Sequence, residues 1–293
     1  MNSNPNCHLY LKRSASLPIA AAIVRLTKSF VALPALMLCF APCMVRAGET
    51  VPPAAPAAQP AAMVVPDWSW PASATHKQVP PPVDFHRPTV NFATPIGIFE
   101  GQSDVGGPLL PGSASYDADK QQYKLNSASY NIWYTRDEMR FVWKKMSGDV
   151  SLAADITFPI ERAPLDRKVV LVIRQDLDDD SAEVMAGLHA PGLIHLAYRP
   201  AKNASMKEAC KVKAEMPAAG AAPIRIGIEK HGDTFALFVG EKGEPMKRVG
   251  ATASLKLDQP FYVGIGFCSH VPDLVDTGAA AKVVLENSAG KVR

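Results

Sequence analysis

Short runs in which apolar and polar residues alternate dominate the chain from Gly97 to Phe158. The clearest run places five apolar residues at every second position, Val150, Leu152, Ala154, Ile156 and Phe158. Successive side chains of a strand point to opposite faces, so a period of two predicts strands with one face against a core. The Gly, Asp and Asn residues between the runs are typical of turns that join antiparallel strands. The chain is therefore constrained to an antiparallel β fold.

The same pattern continues towards the C-terminus. Further strand-like runs are Tyr123–Ser127, Met139–Trp143, Val169–Ile173, Leu193–Tyr198, Ile224–Ile228, Phe235–Val239, Phe261–Phe267 and Ala281–Leu285. Val169–Ile173 is apolar throughout, which predicts burial on both faces. Capped helix patterns are missing from this region, and no fixed-period repeat indicates a propeller. The expected fold class is all-β, a two-sheet antiparallel jelly-roll sandwich.

The first 47 residues have the three-part pattern of a secretory signal peptide. A basic leader containing Lys12, Arg13, Arg25 and Lys28 precedes an apolar stretch from Phe30 to Phe40. The sequence Val45-Arg46-Ala47 then presents small residues where a signal peptidase cleaves. An uncleaved anchor is the alternative, although the stretch is shorter than the roughly 20 residues of a membrane span. A lipoprotein signal fits less well, because in Leu36-Met-Leu-Cys39 a bulky leucine stands directly before the cysteine, where a small residue is wanted.

Composition divides the remaining chain into three parts. Residues 48–91 are rich in Pro and Ala and predict a semi-rigid linker, interrupted by Trp68 and Trp70. Residues 92–286 hold the predicted strands and are expected to form one sandwich domain, followed by a tail at 287–293.

The net charge of the mature chain excludes one class of function. The full chain has 31 basic and 28 acidic residues, but five of the basic residues and none of the acidic ones lie before residue 48. The remainder is formally −2, so nothing in it indicates binding to nucleic acid or to an anionic membrane surface.

Only two cysteines remain after the predicted cleavage, Cys210 and Cys268. In an exported protein two cysteines can form a single disulfide, which here would join an irregular stretch to a strand. Two free thiols are the alternative, because sequence does not show proximity.

Several segments together resemble the concanavalin A-like (laminin G-like) jelly-roll domains of exported bacterial proteins, some of which carry the label Tol biopolymer transporter. The resemblance covers most of residues 92–285 and depends on a set of short motifs. These are Ile96–Gly106, Gly112–Asp117, Asn131–Trp133, Asp137–Lys145 with Gly148-Asp149, Arg174–Asp178, and Leu188–Leu193 with Tyr198-Arg199. The resemblance implies a twisted antiparallel sandwich with one concave face, and it implies no defined reaction. Ala190-Pro191 replaces a glycine-rich turn of the family, which puts any role of His189 in doubt.

An acidic cluster after the fully apolar strand is a candidate metal site. Asp176, Asp178 and Asp180 stand at alternate positions, and carboxylates so spaced can converge on calcium. Ser181 and Gly187 occupy the sixth and twelfth positions counted from Asp176, where an EF-hand loop needs Gly and Glu. The alternative is a solvated turn between two strands.

Glycoside hydrolysis would require two carboxylates facing each other across a cleft. The string Glu-x-Asp-x-x-Glu that jelly-roll glucanases carry on one strand is absent. Asp155 alternates with the apolar residues of its strand and is a candidate for the opposite face. Nucleophile-elbow, phosphate-loop and zinc-site motifs are also absent from the sequence.

Sugar binding without catalysis requires aromatic side chains beside amides, acids or arginines that form directional hydrogen bonds. The candidate ligand-binding residues are Tyr130, Trp133, Arg136, Asp155, Arg174, His195 and Arg199. Arg174, at the end of an apolar strand, must reach the open face of the sheet or pair with an acid. His195 alternates with Ile194 and Leu196, which places it away from the core.

The sequence thus predicts an exported, periplasmic or secreted, non-catalytic binding or accessory module, with carbohydrate or cell-envelope glycan as the expected ligand. The alternatives are a glycan-active hydrolase or lyase and a structural or adhesion module that binds protein. Calcium is the one cofactor considered. No catalytic residue is predicted, and no oligomeric state follows from the sequence.

Overall fold

The computed structural model describes residues 87–160, 166–217, 222–241 and 243–292. The predicted signal peptide, with its cysteines, and the linker as far as residue 86 lie outside the described residues. The strands are β1 (Val90–Phe92), β2 (Gly101–Val105), β3 (Leu110–Asp117), β4 (Gln122–Ala128), β5 (Ile132–Trp133), β6 (Arg136–Asp137), β7 (Met139–Met146), β8 (Val150–Thr157), β9 (Lys168–Arg174), β10 (Glu183–His189), β11 (Leu193–Arg199), β12 (Lys207–Lys213), β13 (Ile224–His231), β14 (Thr234–Gly240), β15 (Lys247–Ser254), β16 (Phe261–Cys268) and β17 (Asp276–Glu286).

The strands form two large sheets and one short hairpin. The eight-stranded sheet has the order β1-β2-β7-β16-β9-β10-β11-β12, and the seven-stranded sheet has the order β15-β14-β13-β8-β17-β4-β3. Neighbouring strands in both sheets are antiparallel. The predicted fold class, an all-β two-sheet antiparallel sandwich, is confirmed. The described residues contain no helix, and so none that is long and apolar enough to cross a membrane.

Alternation along the strands builds the core between the two sheets. Val150, Leu152, Ala154 and Ile156 of β8 meet Val169, Leu171 and Ile173 of β9 in one buried cluster. Burial of these apolar side chains removes them from water and is the main source of stability for such a sandwich. The period of two predicted for β8 therefore corresponds to the side chains that enter the core between the sheets.

The outer face of the eight-stranded sheet is also covered. Val170 and Val172, the alternate residues of β9, belong to a second buried cluster with Phe141, Met185 and Ile132. Ile132 belongs to the β5–β6 hairpin, which lies on this face. Both faces of β9 are buried, as its uninterrupted apolar sequence predicts. This covered outer face positions the candidate site.

The described fold starts slightly before the predicted domain boundary. Val90 and Asn91 of the predicted linker pair with Asp104 and Ser103 of β2. The linker prediction therefore ends too late by a few residues, because a short exposed edge strand has no apolar alternation that would mark its start.

Candidate functional site

Polar side chains occupy both ends of the outer face of the eight-stranded sheet, with an apolar zone between them. At one end Cys268, Lys168 and His189 are directly paired across β16, β9 and β10. At the other end Tyr262, Arg174, Glu183 and Arg199 are paired in the same way across four strands. The two ends have different surroundings, and the first opens into a cleft.

This cleft has a volume of about 280 Å³. It is lined by Asn131, Trp133, Asp166, Lys168, His189, Pro191, Leu193, His195, Glu208 and His270. The volume lies near the lower end of the range for small-molecule pockets, roughly 300–1,000 Å³, so it suits one small ring and not a long chain. We refer to it below as the histidine cleft.

Two aromatic rings form one side of the histidine cleft. The Trp133 indole lies parallel to the His195 imidazole, with ring centroids 5.2 Å apart and planes inclined by 7°. His195 can lie across β10 because residue 187 is glycine; a Cβ there would be 2.7 Å from His195 Nε2. Trp133 is half-buried, whereas His195 is only 3% exposed. The β5–β6 hairpin therefore places Trp133 at the opening, and Gly187 leaves room for the His195 ring on which the indole stacks.

Lys168 lies at the floor of the cleft. Its ammonium donates hydrogen bonds to Asn131 Oδ1 and to the Ile132 carbonyl, each at 2.9 Å, and it lies 5.7 Å from the centre of the Trp133 ring. The residue is 2% exposed, and burial lowers the pKa of its ammonium. Of the described residues, none places a carboxylate within ion-pair distance of Lys168.

The two histidines beside Lys168 are held in the neutral form. Burial, followed by the charge of Lys168, lowers the pKa of His189 to about 2 and that of His195 to about 3. A hydrogen bond to the backbone of Asp166 engages one ring nitrogen of His189, and its Nε2 has no hydrogen-bond partner within the described part of the chain. The same is true of His195 Nε2. The floor therefore combines one cation with two polar atoms that are unsatisfied inside the protein.

Arg174 and Arg199, two of the predicted ligand-binding residues, are not available to a ligand. Both are 0% exposed and surround the Asp137 carboxylate, which Arg199 contacts at 2.6 and 2.7 Å and Arg174 at 3.4 Å. Glu183 lies 3.6 Å from Arg174 and 3.9 Å from Arg199, too far for hydrogen bonds. The prediction that these two arginines bind ligand is wrong, because Asp137 of the β5–β6 hairpin covers and neutralises them.

Tyr130 and Arg136 lie beside the histidine cleft and do not line it. Both are buried around a very small cavity with Arg87, Asp137 and Glu138. Glu138 forms an ion pair with Arg87 and accepts a 3.0 Å hydrogen bond from the Tyr130 amide. These contacts anchor the start of the described chain next to the hairpin. Tyr130 and Arg136, both predicted to bind ligand, are therefore packed among structural contacts and not in the cleft.

Asp155 lies on the other sheet, away from Trp133 and His195. It borders a groove of about 810 Å³ on the seven-stranded sheet and is held by Arg225 at 2.8 Å and Lys282 at 3.3 Å. Although this groove is larger than the histidine cleft, it brings Asp155 together with none of the other predicted site residues.

A lysine occupies the centre of the predicted calcium site. The Lys202 ammonium lies 3.6 Å from Asp176 and 3.5 Å from Asp180, and it also contacts Asp178. The Asp178 side chain, followed by the charges of the neighbouring aspartates, raises the pKa of Lys202. Among the described residues no group of three or more His, Cys, Asp and Glu side chains is arranged for a metal ion. The aspartates form an ion-pair cluster, and calcium binding there stays a prediction.

The predicted disulfide is wrong for this fold. Cys210 lies on β12, and not in an irregular stretch, while Cys268 lies on β16. Strands β9, β10 and β11 separate them, which corresponds to about 19 Å at the usual strand spacing. Disulfides require Cα atoms within about 7 Å. Both cysteines are free thiols, and burial raises the pKa of Cys268 to about 11.

Sequence analysis identified Trp133 and His195 and missed Lys168, His189 and His270. Lys168 and His189 stand at opposite ends of apolar strands, positions that are usually solvent-exposed. These two residues could have been found from the strand register, because the antiparallel pairing of β9 with β10 places Lys168 opposite His189. His270 follows β16 with a φ of 65°, an uncommon conformation for a residue other than glycine.

No family model and no curated protein matches the sequence. Among solved structures, a functionally unknown protein from Saccharomyces cerevisiae has 15% identity and a TM-score of 0.48, over 62% of this chain and 95% of that chain. The carbohydrate-binding module CBM66 from Bacillus subtilis has 15% identity and a TM-score of 0.38, over 60% and 92%. A xylan beta-1,4-xylosidase from Bacillus halodurans has 12% identity and a TM-score of 0.44, over 72% of this chain but 41% of that chain. At these values the likeness says nothing about ligand or activity, and nothing supports the transporter label.

Proposed function

We propose that this protein is an exported carbohydrate-binding module and that the histidine cleft binds one sugar unit of a cell-envelope glycan. The observation that carries the proposal is the juxtaposition of a half-buried tryptophan with unsatisfied polar atoms. Trp133 stands at the opening, and the Nε2 atoms of His189 and His195 lack partners in the interior. Export rests on the N-terminal signal-peptide pattern.

The chemistry of the cleft suits a sugar because a sugar ring has an apolar face and a polar edge. An indole packs against the apolar C–H face of such a ring, while hydroxyls supply both donors and acceptors. Buried polar atoms without partners are costly, and ligand hydroxyls would satisfy them. A purely apolar ligand would leave Lys168 and both imidazoles unsatisfied and is therefore disfavoured.

Binding without turnover is favoured over hydrolysis or elimination. A general base works best with a pKa near the operating pH, whereas the pKa of His189 is lowered to about 2. Hydrolysis needs a pair of opposed carboxylates. Asp166 and Glu208 line the cleft, but Glu208 is paired with Lys211 at 3.1 Å, and Asp155 is held between two cations on the other sheet. The hydrolase or lyase alternative would be supported only by sugar release or by formation of an unsaturated product.

Replacing Trp133 with alanine is expected to weaken glycan binding about tenfold or more, because the ring supplies the apolar platform of the site. The measurement is calorimetry of the secreted protein with ligands selected on a glycan array. Tyr262→Ala is the matched control, since Tyr262 is a half-buried aromatic of the same outer face that packs on Trp143 at the other end.

Retained affinity in Trp133→Ala would contradict the proposed site. A folded protein that binds no glycan on the array would contradict glycan binding itself, and would favour the alternative of an adhesion module for protein.

A further inference from the structure

We propose that the sugar bound in the histidine cleft carries a carboxylate, as a uronic acid does, and that Lys168 binds this group. The inference rests on the proposed function, since it specifies the ligand of the same cleft. Its starting point is a buried ammonium at the cleft floor that has no carboxylate within ion-pair distance among the described residues. Lys168 is 2% exposed, and its two hydrogen bonds go to the neutral oxygens Asn131 Oδ1 and Ile132 O.

Other buried cations among the described residues show what is missing at Lys168. Arg199 has Asp137, Arg140 has Asp104 and Arg167 has Asp276 as ion-pair partners. An ammonium has three N–H donors, and Lys168 uses two of them within the described residues. The third donor and the unbalanced charge are thus available to an acceptor in the cleft.

Lys230 is the informative comparison because it is a buried lysine that also lacks a carboxylate partner among the described residues. It is 4% exposed, donates to the carbonyls of Gly148 and Gly232, and lies against the rings of Phe235 and Phe261. An unpaired buried lysine alone therefore does not define a binding site. Lys168 differs because it lines a cleft that is large enough for a ligand.

The neutral histidines favour a ligand that carries hydroxyl groups as well as a negative charge. His189 is hydrogen-bonded to the backbone of Asp166 through its other ring nitrogen, and its buried Nε2 has no hydrogen-bond partner among the described residues. His195 Nε2 is in the same position, over Gly187. Hydroxyl groups beside a carboxylate would satisfy these atoms together with Lys168. That combination on one ring is the chemistry of an acidic sugar.

The rim of the cleft limits the ligand to a single negative charge. Asp166 and Glu208 both line the cleft. Glu208 is paired with Lys211 at 3.1 Å, and its other oxygen lies 4.0 Å from His195 Nδ1. Like charges repel in such a confined site, so a doubly charged phosphate is disfavoured relative to one carboxylate.

The test compares methyl glycosides by calorimetry with the mature protein. The probes are the methyl glycosides of glucuronic, galacturonic and mannuronic acid, the matching neutral hexosides, and glucose 6-phosphate. At least one uronide is expected to bind about tenfold or more tightly than its neutral counterpart, and its affinity should fall with added salt. Lys168→Met should lose about 10- to 100-fold in uronide affinity and leave hexoside affinity little changed, whereas Lys230→Met should keep the preference.

The outcomes separate this inference from the proposed function. Equal affinity for uronides and hexosides would overturn carboxylate recognition while glycan binding stands, and tighter binding of the phosphate would overturn the choice of carboxylate. Failure of every sugar to bind would overturn both proposals. If Lys168→Met does not fold, the wild-type protein still decides: the Trp133 indole N–H resonance should shift on titration with the uronide at concentrations where the hexoside has no effect.

Discussion

Replacing Asp137 with alanine is expected to lower the free energy of unfolding by about 3–5 kcal/mol, the usual cost of removing one member of a buried ion pair. Asp137 sits between two arginines that are 0% exposed, with Arg199 bound by both of its oxygens at 2.6 and 2.7 Å. Without this carboxylate, the carboxyl group of Glu183, at 3.6–3.9 Å, would be the nearest one to both arginines among the described residues.

The loss should be large because the charges cannot reach water. A buried guanidinium without its partner carries its desolvation cost uncompensated, and this cost exceeds the net value of the pair. The substitution also releases the β5–β6 hairpin from the sheet, since Asp137 is its polar contact with Arg174 and Arg199. Exposure of the apolar cluster under the hairpin would add to the effect.

Urea denaturation at neutral pH measures this difference, with Asp117→Ala as the matched control. Asp117 also forms an ion pair, with Lys120, but both side chains are largely exposed, so its removal should change stability little. If Asp137→Ala proves as stable as the control, Asp137 does not form the buried contact that holds the hairpin.

Several core strands, such as β8 and β9, could be predicted from the sequence because their buried residues form a local alternating or apolar run. In β8 and β9 alternate residues enter the space between the sheets, and the remaining residues of β9 enter the cluster under the hairpin. Strands β2, β3, β10, β12 and β15 were missed. Strands β3, β12 and β15 are sheet edges with mostly exposed side chains, so water imposes no alternation on their residues. Strands β2 and β10 are buried along their whole length, but their mixture of polar, small and apolar residues forms neither an alternating nor an apolar run.

The candidate site could be predicted only in part because its partners are distant in sequence. Alternation places Arg174 and His195 on the outer face, and the structure agrees. Alternation does not show that Asp137, 37 residues before Arg174, neutralises one end of that face. It also does not show that Asn131 and Ile132 approach Lys168 at the other end without a carboxylate. The distinction between a buried ion pair and an available cation arises from how the hairpin lies on the sheet.

The pH dependence of stability should be dominated by the two histidines of the cleft. The pKa of His189 is lowered to about 2 and that of His195 to about 3, compared with 6.5 for an ordinary histidine. Below pH 6.5 the unfolded chain binds protons that the folded chain excludes, so stability falls as the pH decreases. At pH 5, which is 1.5 pH units lower, each histidine costs about 2 kcal/mol.

Glu183 acts in the opposite direction. Burial and the charge of Asp137 raise its pKa to about 7 from 4.5, despite the two arginines. Its folded form holds a proton that the unfolded chain releases, so its contribution is full at acidic pH and is lost as the pH rises from 4.5 to 7. The histidine effect must therefore be measured as a difference between proteins and not from the wild-type curve alone.

Urea denaturation of the wild type and of the double variant His189→Gln/His195→Gln at pH 5 and pH 8 provides that difference. Glutamine does not titrate, so the wild type is expected to lose about 4 kcal/mol more than the variant between pH 8 and pH 5. His231→Gln, at the exposed end of β13, serves as the control for loss of a histidine outside the cleft. Parallel curves for the double variant and the wild type would show that these imidazoles accept protons in the folded state, and hence that the floor of the histidine cleft is open to water.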